Sequence, residues 1–206
     1  MGVSLFINIT KTRRGYYLGY LDMLEEALNY RLITPAIGAE FLGFPNHQLT
    51  QKTESQLREA LVDRKVLVFR NQKLKPNEFL EFMKIFGTPY PEDLKPQDDN
   101  PPEVGVIKIR PNERQTINFW HMDYSFTEMP ARILALHAQD IPPCGGDTLF
   151  TNLEAAYEGL DSQIKERIET LSGNHKMDIE TQNAKNRWTR KELQEMEKAP
   201  PLQHPL

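Results

Sequence analysis

The stretch NFWHMD at residues 118–123 is the most informative part of this 206-residue sequence. If it forms a strand, His121 and Asp123 project from the same face, and their donor atoms can converge on one point. With one further histidine, such a pair forms the facial triad of non-haem Fe(II) oxygenases. The tripeptide alone is too short to establish a metal site. By itself it is more typical of a histidine that simply hydrogen-bonds to an aspartate at the end of a strand.

A second segment, PPCGGDT at residues 142–148, follows one predicted strand and leads into another. Two consecutive glycines permit a tight turn, and Thr148 then offers a hydroxyl at the start of the next strand. Such turns are common, and no lysine follows as a phosphate-binding loop would require. The meaning of this segment therefore depends on its context.

The first half of the sequence predicts two helices around one strand. Thr53 and Gln56 have the spacing of a capping box, and apolar residues continue this helix to about Arg64. The apolar run 66–69 has strand length and predicts a central strand that is covered on both faces. Pro76 then suits the first turn of a second helix, which Gly87 ends.

The second half is predicted to contain mainly strands, at residues 104–109, 116–123, 131–138 and 148–152. Several short strands separated by turn signals favour a β-sandwich or jelly roll. Two helices accompany them. One is amphipathic and covers residues 162–171, and the other is exposed and highly charged and runs from about Thr189 until the prolines that follow residue 199.

Composition excludes several classes of protein. The net charge of −4 comes with interspersed signs and no basic stripe, which argues against a nucleic-acid partner. No apolar run approaches the roughly 20 residues that span a bilayer, so we expect no membrane segment. Cys144 is the single cysteine and cannot form an internal disulfide, which favours a reducing, cytoplasmic location.

In their order along the chain, these segments resemble the taurine/2,4-dichlorophenoxyacetate dioxygenase (TauD/TfdA) family over residues 31–206. The matching motifs are VLVFRNQ (66–72), FG (86–87), WHMD (120–123), GGDTLF (145–150) and AAY (155–157). The resemblance implies a mostly-β fold with flanking helices, the double-stranded β-helix or jelly roll. Residues 1–30 are then an N-terminal extension to a domain formed by residues 31–206.

The resemblance also implies a reaction and a set of site residues. His121 and Asp123 match the first two iron ligands, and Thr148 matches the residue whose hydroxyl contacts a carboxylate of 2-oxoglutarate. Asn118 lies close to the position at which taurine-type members carry a substrate-contacting asparagine. The implied enzyme uses Fe(II), 2-oxoglutarate and dioxygen to hydroxylate a small organic acid, releasing succinate and CO2. A sulfonate, a sulfate ester or an aryloxy acid is the expected substrate.

The sequence departs from the family at its C-terminal end. The family carries a distal histidine ligand and then an arginine for 2-oxoglutarate, both downstream of a His-Pro stretch like the one at residues 204–205. We expect structural roles for the other histidines, which are His47, His137, His175 and His204. The jelly roll is therefore predicted to be incomplete at its C-terminus, and these 206 residues alone to bind metal weakly and be inactive. Its exposed strand edges would permit a homo-oligomer.

Two other interpretations stay open. The chain could be a noncatalytic remnant, or an interaction module, that retains half of the jelly roll. It could instead be a metal hydrolase of different fold, which would require another histidine or carboxylate near His121 and would neither bind nor consume 2-oxoglutarate.

Overall fold

The computed structural model describes residues 28–42, 44, 49–90, 100–109, 119–177 and 189–206. The chain forms two compact units. The first contains the described residues up to residue 90 together with Arg132–Ala155, and the second contains those from 100 to Ala131 together with Ala156–Leu206. His121 and Asp123 consequently belong to the second unit, and Thr148 belongs to the first.

A three-stranded sheet forms the centre of the first unit. Strand β1 (Tyr30–Leu32) pairs antiparallel with β2 (Ala39–Phe41), and β2 pairs parallel with β3 (Leu67–Phe69). The prediction that the 66–69 run is buried is confirmed, because all four residues are at most 6% exposed. The prediction that it is central is wrong for the described sheet, in which β2 is the middle strand. An apolar run indicates that a strand is buried under other elements, but it does not indicate which strands lie beside it in the sheet.

Two helices follow the predicted pattern. Helix α1 (Gln51–Arg64) ends where the sequence indicated, but it begins one turn earlier than Thr53 because Thr50 is its N-cap and accepts a hydrogen bond from the Thr53 amide. Helix α2 (Pro76–Met83) has its proline in the first turn, where the missing N–H costs nothing. A 3₁₀ turn (Lys84–Phe86) extends it to Gly87, as predicted.

Aromatic rings fill the core between the sheet and these helices. Phe41 and Phe69 are essentially inaccessible and stack with ring centroids 4.8 Å apart. Phe44 and Phe82 meet the Phe69 ring edge-on at 4.9 and 5.2 Å. Edge-to-face and offset contacts of this kind add to the free energy gained from burying the rings. The core therefore fixes the first unit mainly through apolar packing.

One charged group lies within this apolar core. Glu40 on β2 is 3% exposed, and its two carboxylate oxygens accept hydrogen bonds from Arg31 and Arg70. Arg31 is its cross-strand partner on β1, and Arg70 directly follows β3. A buried carboxylate is tolerated only when it is paired and hydrogen-bonded, so this ion triad ties the three strands together.

The predicted second-half strands are wrong wherever the structure describes them. Residues 104–109, 119–123, 131–138 and 148–152 lack the hydrogen-bond pairing of a strand; residues 116–118 lie outside the described part. A run of β-favouring residues becomes a strand only when a neighbour pairs with its N–H and C=O groups. Within the described residues the strands are few and short, and a mostly-β chain is not confirmed.

The remaining elements are short. Helices α3 (Leu153–Glu158), α4 (Ser162–Ile168) and α5 (Arg190–Lys198) are mainly exposed, and Asp161 caps α4 through the Ile164 amide. The second unit also contains the antiparallel pair β4 (Ser172–His175) and β5 (Leu202–Pro205). Among the described residues, no helix has the length and apolar character needed to cross a bilayer.

Candidate functional site

The structure brings His121 and Asp123 together. Nε2 of His121 lies 3.3 Å from Oδ1 of Asp123, and both side chains are about 40% exposed. The segment is not a strand, so the predicted backbone conformation is wrong. The two side chains nevertheless lie close together, as both the metal pair and the hydrogen-bonded pair require. The pair is accessible to a small ligand or an ion from solvent.

A hydrogen bond to the backbone orients the imidazole. Nδ1 of His121 lies 3.0 Å from the carbonyl oxygen of Phe119, which can only accept a hydrogen bond. With Nδ1 as the donor to Phe119, Nε2 is the ring nitrogen that faces the carboxylate of Asp123. Metal-binding histidines commonly donate their other N–H to a carbonyl or carboxylate in this way.

The donor set fits part of a divalent metal site. Two ligands that each lie about 2.1 Å from a metal at a right angle are roughly 3 Å apart, close to the observed 3.3 Å. Among the residues that the structure describes, no group of three or more His, Cys, Asp or Glu side chains could hold a metal ion. The described residues thus offer two candidate ligands, fewer than a metal site of three protein ligands needs.

A tight turn follows the pair directly. Tyr124 has a φ of 57°, which is unusual for a residue with a side chain. Thr127 donates to the Tyr124 carbonyl from its amide (3.0 Å) and its hydroxyl (2.8 Å), and the Ser125 amide donates to Met122. These hydrogen bonds hold Asp123 at the start of a defined turn.

The glycine segment has the predicted turn. Gly145 and Gly146 both have positive φ values, 79° and 75°, which residues with a Cβ rarely adopt. Thr148 follows in an irregular, exposed segment of the first unit. Its contact with 2-oxoglutarate stays a prediction. The candidate substrate residue Asn118 lies outside the described residues.

The histidines that were expected to be structural have structural contacts where they are described. His137 stacks on Phe79 with ring centroids 5.5 Å apart. His175 and His204 meet edge-on at 5.1 Å. His47 lies outside the described residues.

Sequence reasoning missed one contact beside the ligand pair. Nε2 of His204 lies 2.8 Å from the carbonyl oxygen of Ser125, two residues after Asp123. These residues are 79 positions apart, so no local spacing could have revealed the contact.

Comparison with known proteins gives a consistent result. The model of the family described as "Taurine catabolism dioxygenase TauD, TfdA family" matches residues 29–206. An alkylsulfatase from Acinetobacter baylyi is 30% identical over 181 residues, covering 87% of this chain and 56% of the relative. An alpha-ketoglutarate-dependent 2,4-dichlorophenoxyacetate dioxygenase from Cupriavidus pinatubonensis is 33% identical over 141 residues, which covers 60% of this chain and 49% of that one.

Solved structures show the same relationship. A taurine dioxygenase from Burkholderia xenovorans is 29% identical and superimposes with a TM-score of 0.60, covering 73% of this chain and 54% of that chain. The chain thus spans about half the length of the relatives that it matches.

Proposed function

Because the chain belongs to the TauD/TfdA family, we propose that it carries two iron ligands of an Fe(II)- and 2-oxoglutarate-dependent dioxygenase. The observation behind this proposal is the His121–Asp123 pair, with Nε2 and Oδ1 3.3 Å apart and Nδ1 directed at the Phe119 carbonyl. The family match covers this segment. We further propose that residues 31–206 belong to a jelly-roll domain and that residues 1–30 extend it.

Each residue has a proposed part in binding. His121 would coordinate the metal through Nε2, while the hydrogen bond at Nδ1 keeps the ring from rotating. Asp123 would add a carboxylate oxygen and half of the charge needed to neutralise a divalent ion. Thr148 would donate its hydroxyl to a carboxylate of 2-oxoglutarate. Asn118 would contact the substrate.

The bound iron would supply the oxidative chemistry. In the overall reaction, 2-oxoglutarate, dioxygen and a substrate C–H bond give succinate, CO2 and a C–OH group. His121 and Asp123 would fill two coordination positions of the iron and leave others open. We propose a small organic acid of the sulfonate, sulfate-ester or aryloxy class as substrate, since the similar proteins are named for activities on such compounds.

Metal titration of the chain tests the proposal. We expect the wild type to bind Co(II), a spectroscopic substitute for Fe(II), weakly but measurably. Asp123→Asn should lower that affinity by more than the roughly tenfold that the loss of an outer-shell partner costs. Asp140→Asn, which changes an exposed aspartate elsewhere, is the matched control and should bind like the wild type. Equal Co(II) affinity in wild type and Asp123→Asn would reject the assignment of Asp123.

The cosubstrate is tested separately. Under anaerobic conditions, Fe(II) and a high concentration of 2-oxoglutarate should give only a weak visible charge-transfer band with the wild type, in line with the weak metal binding expected of these 206 residues, and Asp123→Asn should give none. Thr148→Val replaces the hydroxyl with a methyl group. It should raise the 2-oxoglutarate concentration at which the band reaches half of its full intensity, without changing the Co(II) affinity. A band unchanged in Thr148→Val would show that Thr148 is not the cosubstrate contact.

An interaction module is the second candidate, and exposed apolar side chains favour it. In the second unit, Ile107 and Ile109 are 75% and 56% exposed and lie two residues apart, while Trp120 is 67% exposed. Larger exposed apolar patches often mark sites of association. Sedimentation over a concentration series would support this candidate if the chain self-associates and binds no metal.

A further inference from the structure

The turn that carries the ligand pair is strained. Tyr124 is held in the left-handed region, with a φ of 57°, which is unfavourable for a residue with a side chain. Such conformations persist only where surrounding contacts enforce them. The hydrogen bonds within the turn, from Thr127 and Ser125, are one source of that enforcement.

The second source comes from a distant part of the sequence. His204 on β5 places Nε2 2.8 Å from the Ser125 carbonyl oxygen. A carbonyl only accepts, so the imidazole is the donor in this contact. This hydrogen bond connects strand β5 to the turn that begins at Asp123. All of these residues lie in the second unit.

The β4–β5 pair fixes the position of the His204 ring. His204 lies opposite Gly173 in the register, and its ring meets that of His175 edge-on. A Cβ at Gly173 would lie 3.1 Å from Nε2 of His175, so the glycine makes room for the neighbouring ring. Backbone pairing and ring packing thus restrict where His204 can point.

We propose, on the basis of the proposed function, that His204 is a positioning residue for the metal site. Its Nε2–H holds the Ser125 carbonyl and thereby keeps the strained turn in the shape that sets Asp123 beside His121. His204 does not touch the metal in this arrangement. It acts through Ser125 and the backbone of the turn, as an outer-shell partner.

Two substitutions separate the hydrogen bond from ring packing. His204→Phe retains a ring of similar shape but loses the donor, and His204→Gln retains an N–H donor but loses the ring. We expect His204→Phe to weaken Co(II) binding by roughly tenfold or more and to alter the visible spectrum of bound Co(II). His204→Gln should recover most of the affinity. His175→Phe changes the adjacent imidazole and should bind like wild type.

A metal-free measurement completes the test. In amide hydrogen exchange followed by NMR, the Thr127 amide should exchange faster in His204→Phe than in wild type or His175→Phe. His204→Leu also lacks the donor and replaces His204→Phe if the latter does not fold.

The proposal would be overturned if a folded variant without the donor kept the Thr127 exchange rate and the Co(II) affinity of the wild type. It would also be overturned if His204→Gln bound Co(II) as weakly as His204→Phe. Absence of Co(II) binding by the wild type would count against the proposed function, whereas unchanged exchange counts against the role of His204 alone.

Discussion

The aromatic core of the first unit and the ligand segment of the second are held by different interactions. Phe69 in the core has no accessible surface, whereas His121 and Asp123 are about 40% exposed. Burial of rings supplies the free energy in the core, while individual hydrogen bonds to backbone carbonyls shape the ligand segment. Changes in the core should therefore alter stability, and changes in the ligand segment should alter metal binding.

Deleting one aromatic ring from each region gives the largest expected contrast. Phe69→Ala should lower the free energy of unfolding by about 3–5 kcal/mol, because it removes a buried ring that contacts three others. Phe119→Ala removes a ring that is 52% exposed and should cost less than about 0.5 kcal/mol. Urea unfolding followed by circular dichroism measures both. Similar losses in the two variants would contradict the division between the regions.

The buried carboxylate of the core should give the next largest effect. Glu40→Gln removes the charge that both Arg31 and Arg70 bind, and we expect a loss of about 2 kcal/mol. Glu166→Gln on the exposed face of α4 is the matched control and should have little effect. A stable Glu40→Gln variant would show that the ion triad does not stabilise the sheet.

The same carboxylate predicts a pH dependence. Burial by itself raises the pKa of Glu40, but the hydrogen bonds and charges of Arg70 and Arg31 outweigh burial, and the pKa lies below the ordinary value of 4.5. The unfolded chain therefore takes up this proton first as the pH falls. The stability that Glu40 contributes is complete above the unfolded value and is lost as the pH drops through the folded pKa. Below pH 4.5, the free energy of unfolding should decrease more steeply with falling pH for wild type than for Glu40→Gln.

The smallest predicted effect is a pH dependence of stability that comes from His137, at a higher pH than that of Glu40. Burial lowers its pKa below the ordinary 6.5, although the contact with the Gln72 carbonyl acts in the opposite direction. The folded state therefore favours the neutral ring, and its contribution to stability is lost as the pH falls from about 6.5 through the folded pKa. His137→Phe keeps a ring against Phe79 and should lack this component. Identical pH profiles for the two proteins above pH 5 would contradict the assignment.

The sequence predicted those structural features that depend on residues only a few positions apart. Helix α2 was recognised from Pro76 at its start and Gly87 after its end, because caps act within a few residues. The His121–Asp123 pair was recognised for the same reason, since the two residues lie two apart. The predicted helix start at Thr53 failed by one turn, because Thr50 competes for the same capping role.

The remaining features depend on residues far apart in the chain. The ion triad of Glu40 joins three segments, and the contact of His204 with Ser125 spans 79 positions. Strand formation over residues 104–109 or 131–138 depends likewise on a partner strand and not on composition alone.

The sequence by itself indicated the family, through the order of its motifs along the chain. It also indicated the two metal-ligand candidates, the glycine turn before Thr148, helices α2, α4 and α5 and the end of α1, because local spacing and capping carry each of these. Only the tertiary structure decided that β2 is the middle strand, that Glu40 is buried between two arginines and that His204 reaches the ligand turn. The physical reason is that these contacts form when the packed core and the β4–β5 pair bring distant backbone together, and no short sequence pattern encodes that proximity.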